Sequence, residues 1–474
     1  MTDPATLIHA RRAFVIAPAG CGKTQLIANA VYLDATNRSL ILTHTYAGVD
    51  VLRKRLKALG TAASTYEVDT IAGWSLRLTA SFPSNSGITM QRPVNEEWDA
   101  VYVAARSLLS YEAIKTVIQA SFDSVYIDEY QDCSPSQHEI IIKLADILPT
   151  RIFGDPLQGI FDFGGAPIVD WQTHVAPYFE ELPSLDNPYR WSESNPALGD
   201  WLLTVREKLE THEPVDLSQA PEGCVRFIQL PRKAHDQFRI QMEICMSVTC
   251  RAGETLLAIH NWEHQCHGIA RQTGGKFRSP ETIECNELFN YAKQIDDAPD
   301  KQTLARVVFE FSYLCLTKVK GLLEGPACRI FDGRGLQNRQ YQHQDQLDAL
   351  KEIAKIGSLQ SAYRALVLLA GMNEAKIVRY ELFQEMLKAL REYNVGQHNC
   401  LEEAAISIRD RTRRNGRAPG RYVISRTLLV KGLEFDHAII LNANTMNRKN
   451  LYVALTRASR TLTVLGESPI FNPE

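Results

Sequence analysis

Four apolar residues, Ala13-Phe14-Val15-Ile16, run directly into Ala17-Pro18-Ala19-Gly20-Cys21-Gly22-Lys23-Thr24, and this strand-then-glycine-loop order constrains the fold more than any other stretch of the chain. Glycines at 20 and 22 free the backbone to turn its N–H groups inward around an anion. Lys23 is in reach of the β and γ phosphates of a nucleotide, and Thr24 offers a hydroxyl to Mg2+. The helix begun by Thr24-Gln25-Leu26-Ile27 aims its positive end at the same point. The loop therefore predicts a nucleoside triphosphate site built from Ala19, Gly20, Cys21, Gly22, Lys23, Thr24 and Gln25. Ala17 stands where the general pattern has its first glycine.

At 474 residues the chain is too long for one compact core. A hydrophobic fraction of 45% and a charged fraction of 23% are those of an ordinary globular protein. The net charge of −3 supplies no global field for nucleic acid, so a nucleic-acid site has to be a local patch. No apolar run reaches the length of about eighteen residues that a membrane span needs. Arg11-Arg12 followed by the apolar residues 13–19 mimics a signal peptide, but the same run is the strand feeding the phosphate loop, and the expectation is a cytoplasmic protein. The 10 cysteines are scattered singly, as reduced thiols are. Cys245, Cys250, His260, His264, Cys266 and His267 fit no standard zinc spacing and read as ordinary helix and strand side chains.

Through the first two hundred residues, apolar runs at 13–16, 40–42, 125–127 and 151–153 alternate with helical stretches. That is the signature of a parallel α/β sheet with crossover helices, a fold that binds ligands at the carboxyl edge of its strands. A first unit is predicted over 1–78 and 120–200, interrupted at 79–119 by a small, mostly helical insertion. A second α/β unit is predicted over 201–284 and 406–474, with strands at 225–228, 255–259, 422–425, 438–441 and 462–465. It is split by a mostly helical insertion at 285–405.

Val125-Tyr126-Ile127-Asp128-Glu129 places two adjacent acids at a strand end, where Asp128 can hold Mg2+ and Glu129 can polarise an attacking water. A further strand ends in Gly154-Asp155-Pro156-Leu157-Gln158, whose Gln158 can touch the γ-phosphate and sense its loss.

These blocks, together with Asn187-Pro188-Tyr189-Arg190, Val430-Lys431-Gly432-Leu433-Glu434-Phe435-Asp436 and Leu451-Tyr452-Val453-Ala454-Leu455-Thr456-Arg457-Ala458, resemble in order the motifs of the UvrD/Rep-like superfamily 1 helicases. The resemblance covers the first unit and the last fifty residues, and residues 193–420 only weakly. It implies two RecA-like domains with ATP between them and single-stranded DNA across their tops, tracked 3′ to 5′. By position it makes Arg190 and Arg457 arginine fingers on the γ-phosphate, Tyr189 the adenine-stacking ring, and Glu434, beside Gly432, a ribose contact. No glutamine-bearing adenine motif lies among Met1 to Arg12, and Leu428 stands where family members often carry a DNA-facing histidine.

For DNA the matching positions are His44, Thr45, Tyr46, Trp74, Phe161 and Phe163, where single-strand tracking calls for aromatic faces beside polar groups. His44 and Tyr46 replace the usual phenylalanine and asparagine, and Phe163 replaces tryptophan. Core packing is the other reading of the two phenylalanines. The basic run Arg409, Arg411, Arg413, Arg414, Arg417 and Arg421 reads either as a loop against phosphates or as a solvated loop. Two functions follow: an ATP-dependent 3′ to 5′ DNA helicase or translocase, and a regulatory ATPase that senses DNA and switches a partner enzyme. Compact chains of this kind resemble the helicase-like, GajB-type subunit of Gabija anti-phage systems, which works with a separate GajA-type nuclease. No nuclease constellation of clustered acids is evident in the chain itself.

Overall fold

The protein is described from a computed structural model over residues 2–90, 93, 96–160, 168–282, 285–337, 340–415 and 420–473, of which 413–415 are described through the backbone alone. Six strands form the first sheet: β1 (Arg12–Ile16), β2 (Ser39–Thr43), β3 (Tyr66–Thr70), β4 (Ser124–Ile127), β5 (Thr150–Gly154) and β6 (Glu180–Leu182). Their spatial order is β3-β2-β4-β5-β1-β6 and every pairing is parallel. Alternate residues of each central strand enter opposite cores. Phe14, Leu40, Leu42, Val125, Ile127 and Ile152 pack on one face, and Val15, Ile41, Tyr126 and Phe153 on the other. A sheet buried on both faces needs apolar residues at both parities, so these strands read as continuous hydrophobic runs.

β3 and β6 lie outside the sequence-based expectation. Both are edge strands and neither is uniformly apolar: β3 alternates half-buried Tyr66, Glu67 and Asp69 with buried Val68 and Thr70, and β6 begins with exposed Glu180 and Glu181. The expected insertion at 79–119 consists of the helices Pro83–Ser86, Glu97–Leu108 and Glu112–Ser121. Tyr102, Ala105, Leu108, Ile114 and Ile118 join the core on the Phe14 face of the sheet.

A short ribbon of β7 (Val215–Asp216) and the C-terminal strand flanks the second sheet. That sheet contains β8 (Val225–Gln229), β9 (Leu256–Ile259), β10 (Tyr422–Ser425), β11 (Phe435–Ile440) and β12 (Ala458–Gly466); β13 (Ile470–Phe471) completes the ribbon. It too is wholly parallel, in the order β10-β9-β11-β12-β8, and its faces alternate in the same way: Leu257, Ile259, Ala438 and Ile440 against Leu256, Ala258, Ile439 and Leu441. The first of these cores also takes in Ala19, Leu157, Trp191 and Leu198, so the glycine loop and the start of the helix Pro196–Glu210 are packed against the second sheet.

The helices from Asn286–Asp296 to Leu401–Asn415 surround a core of their own, running from Cys285 to Ile408. The last helix continues through the expected boundary at 405. Buried Arg379 ties this helical body to the second unit, donating from Nε to Glu281 Oε1 at 2.8 Å and pairing also with Glu287. On its far side the helix Leu401–Asn415 touches the helix Tyr46–Ala58 of the first unit. Among the described residues no helix is long and apolar enough to cross a membrane.

Candidate functional site

The glycine loop leaves β1 and enters the helix Lys23–Leu33, whose N-cap is Gly22. Gly20 and Gly22 have φ of +74° and +85°, and a Cβ on Gly20 would lie 2.6 Å from the Trp191 ring. Only glycine meets both demands, the left-handed backbone and the close approach. Trp191 is itself held by the second unit, its Nε1 donating to the Ala458 carbonyl at 2.7 Å, and the Ala19 N–H donates to Tyr452 Oη at 3.1 Å. The loop is thus shaped by both sheets.

Lys23, at the first turn of its helix, is buried, and its Nζ lies 2.6 Å from Glu129 Oε1 and 3.4 Å from Asp128 Oδ1. Burial pulls the ammonium's pKa down, but the attraction of Glu129 and Asp128 outweighs it and leaves the group above its ordinary value. The Thr24 hydroxyl donates to Asp128 Oδ2 at 3.2 Å. Burial raises Asp128, while Glu129 is held down to about 2, because Lys23 and Lys431 overcome the cost of burying its charge. Glu129 has φ 60° and ψ 40°, a left-handed conformation that costs a non-glycine residue on the order of 1 kcal/mol and recurs at functional positions. Gln131 donates to its other oxygen. The carboxylate after β4 is thereby fixed in place, ionised and aimed at Lys23.

After β5, Asp155 is inaccessible to solvent and accepts from Leu157 N, Gln158 Nε2 and Arg206, the last at 3.2 Å. It therefore holds Gln158 in place at the wall of the cleft. Arg190 donates to the Thr456 carbonyl at 2.7 Å and pairs with Glu434 Oε1 at 2.7 Å. Arg457 is 1% accessible and donates to the carbonyls of Val453 and Leu433, with no carboxylate partner among the described residues. Burial and the neighbouring Arg190 bring its pKa down to about 9, still protonated at neutral pH. A buried cation satisfied only by neutral groups is poised to attract an anion.

Lys23, Thr24, Glu129, Gln158, Arg190 and Arg457 face one cleft of about 930 Å3 between the sheets. Its wall includes the whole loop from Ala19 to Gln25, with Glu129, Gln158, Tyr189, Arg190, Gly432, Glu434 and Arg457. Asp128 is joined to it through Thr24 and Lys23. The Tyr189 ring is 52% exposed, which leaves a face for a base. A hydroxyl and a buried carboxylate in contact, Thr24 and Asp128, form a donor set suited to Mg2+, which prefers oxygen ligands and keeps several waters.

The sequence-based DNA positions divide. Exposed Thr45 caps the helix Tyr46–Ala58, its hydroxyl accepting from Gly48 N at 3.1 Å, and half-buried His44 and Tyr46 flank it at the carboxyl edge of β2. Trp74 is corrected: it is 4% accessible and packs in the first unit's core with Ile71, Leu78 and Tyr102, so its ring has no face to offer a base. Phe161 and Phe163 lie outside the described residues. The basic run is corrected in part. Arg409 and Arg411 are on a helix rather than a loop, and Arg409 is buried with its guanidinium 2.8 Å from Glu385 Oε1. Arg421 donates to the carbonyls of Cys250 and Arg251; the side chains of Arg413 and Arg414, and Arg417 entirely, lie outside the description. Cys245 and Cys266 pack in the apolar core of the second unit.

The sequence alone points to no role for Lys431. Its Nζ reaches from the second unit to Asp132 Oδ1 and Oδ2 at 2.6 and 2.5 Å, and also to the Gln158 carbonyl, so it clasps the two units beside Glu129. A lysine inside a matched block was visible; its partner 299 residues away was not.

Two parallel sheets, a glycine loop on the first and arginines from both on one cleft define a P-loop fold of paired RecA-like units. The UvrD/REP helicase N-terminal domain family matches residues 95–173, the stretch that carries Asp128, Glu129 and Gln158. No curated protein matches the chain. Among solved structures, Arterivirus nonstructural protein 10, a helicase, in complex with DNA is similar at 10% identity and a TM-score of 0.36, over 98% of this chain and 62% of that one. The crystal structure described as that helicase alone gives 9% identity, a TM-score of 0.37 and coverages of 98% and 61%. The chain therefore spans about three fifths of the length of those proteins.

Proposed function

We propose that this chain is an ATP-dependent DNA translocase or helicase. One observation carries the reading: Lys23, Glu129 and Arg190 of the first unit and Arg457 of the second line a single cleft, so closure of the units and chemistry at a triphosphate are the same event. Lys23 exchanges its carboxylate partners for phosphate oxygens. Glu129, released from Lys23 and so less strongly held down than in the nucleotide-free site, orients water and accepts its proton. Arg190 and Arg457 meet the charge that spreads over the transferred phosphoryl group. Thr24 and Asp128 would hold Mg2+, which would supply charge neutralisation at the phosphates. Tyr189 stacks on the base and Glu434 contacts the ribose.

The strand is taken at the carboxyl edge by His44, Thr45 and Tyr46, and Phe161 and Phe163 remain proposed stacking residues. Tracking from 3′ to 5′, and a role in DNA repair or anti-phage defence with a nuclease partner, rest on the motif order. A DNA-sensing ATPase that switches a partner without unwinding is the second reading. It is favoured by the burial of Trp74 in the first unit's core, while Lys23, Glu129, Arg190 and Arg457 line one cleft. ATP turnover measured with and without single-stranded DNA tests the common part, and stimulation by DNA is the expected outcome. Displacement of a strand from a duplex with a 3′ tail then separates motor from switch. Turnover indifferent to DNA would reject both.

A further inference from the structure

A second cavity, of about 530 Å3, opens on the first unit between the helices Glu97–Leu108 and Pro135–Ile147 and the segment from Thr173 to Tyr178. Its size is that of a small-ligand pocket. Lys143 on its wall makes no ion pair among the described residues, and Arg106 shares one carboxylate, Glu139. Ser107 and Ser110 add two hydroxyls. Tyr178 is 50% exposed at the rim, within ring contact of His138.

His138 gives the cavity a fixed donor. The ring is 6% accessible and its Nδ1 lies 2.6 Å from Tyr130 Oη. Tyr130 is wholly buried, and this is its hydroxyl's one hydrogen bond among the described residues, so the hydroxyl donates rather than leave its proton orphaned. Nδ1 is then the acceptor and the ring's own proton sits on Nε2, which has no protein partner among the described residues. Burial pushes the imidazole down to about 4 and keeps it neutral, in this tautomer, at physiological pH.

The wall thus presents an ammonium, a guanidinium, an N–H and two hydroxyls against one carboxylate, a surplus of donors that matches a phosphoryl group. A flat aromatic face lies beside it. We propose that this cavity binds a nucleoside phosphate, its phosphoryl group at Lys143 and Arg106 and its base against Tyr178, and that occupancy is transmitted through His138 and Tyr130 to Glu129, the next residue. The binding stands on the cavity alone; the transmission rests on Glu129 being the base of the cleft. A nucleoside phosphate can arrive free or as a unit of a DNA strand, and the test separates the two.

With the cleft filled by a non-hydrolysable ATP analogue and Mg2+, labelled AMP and, separately, a 5′-phosphorylated oligothymidylate are titrated into the full chain. A further equivalent of AMP marks a free ligand; with no AMP bound, an equivalent of the oligonucleotide that Lys143→Glu weakens, beyond the one taken at His44, Thr45 and Tyr46, marks a strand. Lys143→Glu and Tyr178→Ala, both near the surface, weaken that equivalent by about tenfold or more and leave the analogue bound. Lys23→Ala does the reverse, so failure of the cleft reading is seen separately. Tyr130→Phe retains the second equivalent but removes its effect on ATP turnover. No second equivalent of either probe, or one undiminished in Lys143→Glu, overturns the site; a wild-type turnover unmoved by occupancy overturns the transmission.

Discussion

Glu129 combines three properties seldom found together: a left-handed backbone, a half-buried carboxyl held well below its ordinary pKa and a lysine 2.6 Å away. Its low pKa belongs to the site in which Lys23 and Lys431 pull on it. In the proposed reaction Lys23 turns to the phosphates, that pull relaxes, and the carboxylate rises toward the range in which it can take a proton from water. Glu129→Gln is expected to keep ATP bound while reducing turnover by about a hundredfold or more, and Lys23→Ala to lose turnover with weakened binding; a filter-binding assay beside a phosphate-release assay reads both. Asp132 behaves in the opposite sense. Burial raises its carboxyl to about 6 despite Lys431, so the folded protein holds a proton there that the unfolded chain releases nearer the ordinary value of 3.8. Its contribution to stability is therefore greatest in acid and falls as pH rises from about 4 to 6. Thermal melts across that window should show the wild type losing ground to Asp132→Asn, then running parallel above it. A constant difference would mean that Asp132 titrates normally.

The strands that carry chemistry are readable because burial on both faces forces an apolar run, as in Val125-Tyr126-Ile127 and Ile152-Phe153. Edge strands β3 and β6 face solvent in part and lack that run. Trp74 shows a different failure: Ile71, Trp74, Ser75 and Leu78 are the buried stripe of the helix Ile71–Ser81, a 3.6-residue period present in the sequence but outweighed there by the motif match. The glycine loop and the Asp128-Glu129 pair were readable as local patterns, whereas the Lys431–Asp132 clasp and the Arg206–Asp155 contact depend on the packing of distant segments. The helix Pro135–Ile147, which follows the acids and carries His138, is fixed by a capping box in which Ser134 and Gln137 bond each other's backbone. Ser134→Ala should cost about 1 kcal/mol in a denaturant titration, and Ser134→Asp should restore most of it.

The helical body has a core of its own, while the two α/β units share an apolar core that runs from Ala19, Leu157 and Trp191 to Ala438 and Ile440. Calorimetry is expected to resolve more than one transition, and a nucleotide with Mg2+ should raise the one belonging to the paired units while leaving that of the helical body in place. Because Arg457 comes from the second unit and is satisfied only by carbonyls and a hydroxyl, Arg457→Lys should slow hydrolysis far more than it weakens ATP binding. Equal losses would make it a ground-state contact.

The contact between the helices Leu401–Asn415 and Tyr46–Ala58 closes a circuit: first unit to second across the cleft, second unit to helical body at Arg379, and helical body back to the first unit. In a linkage of three bodies joined end to end in a ring, no joint turns alone. Rotation at the nucleotide has to be taken up at the remaining joints, one of which is the helix that begins at Tyr46, immediately after His44 and Thr45. On the proposed function, the ring sets how far the units can turn and carries that turn to the edge where His44 and Thr45 are proposed to meet the strand.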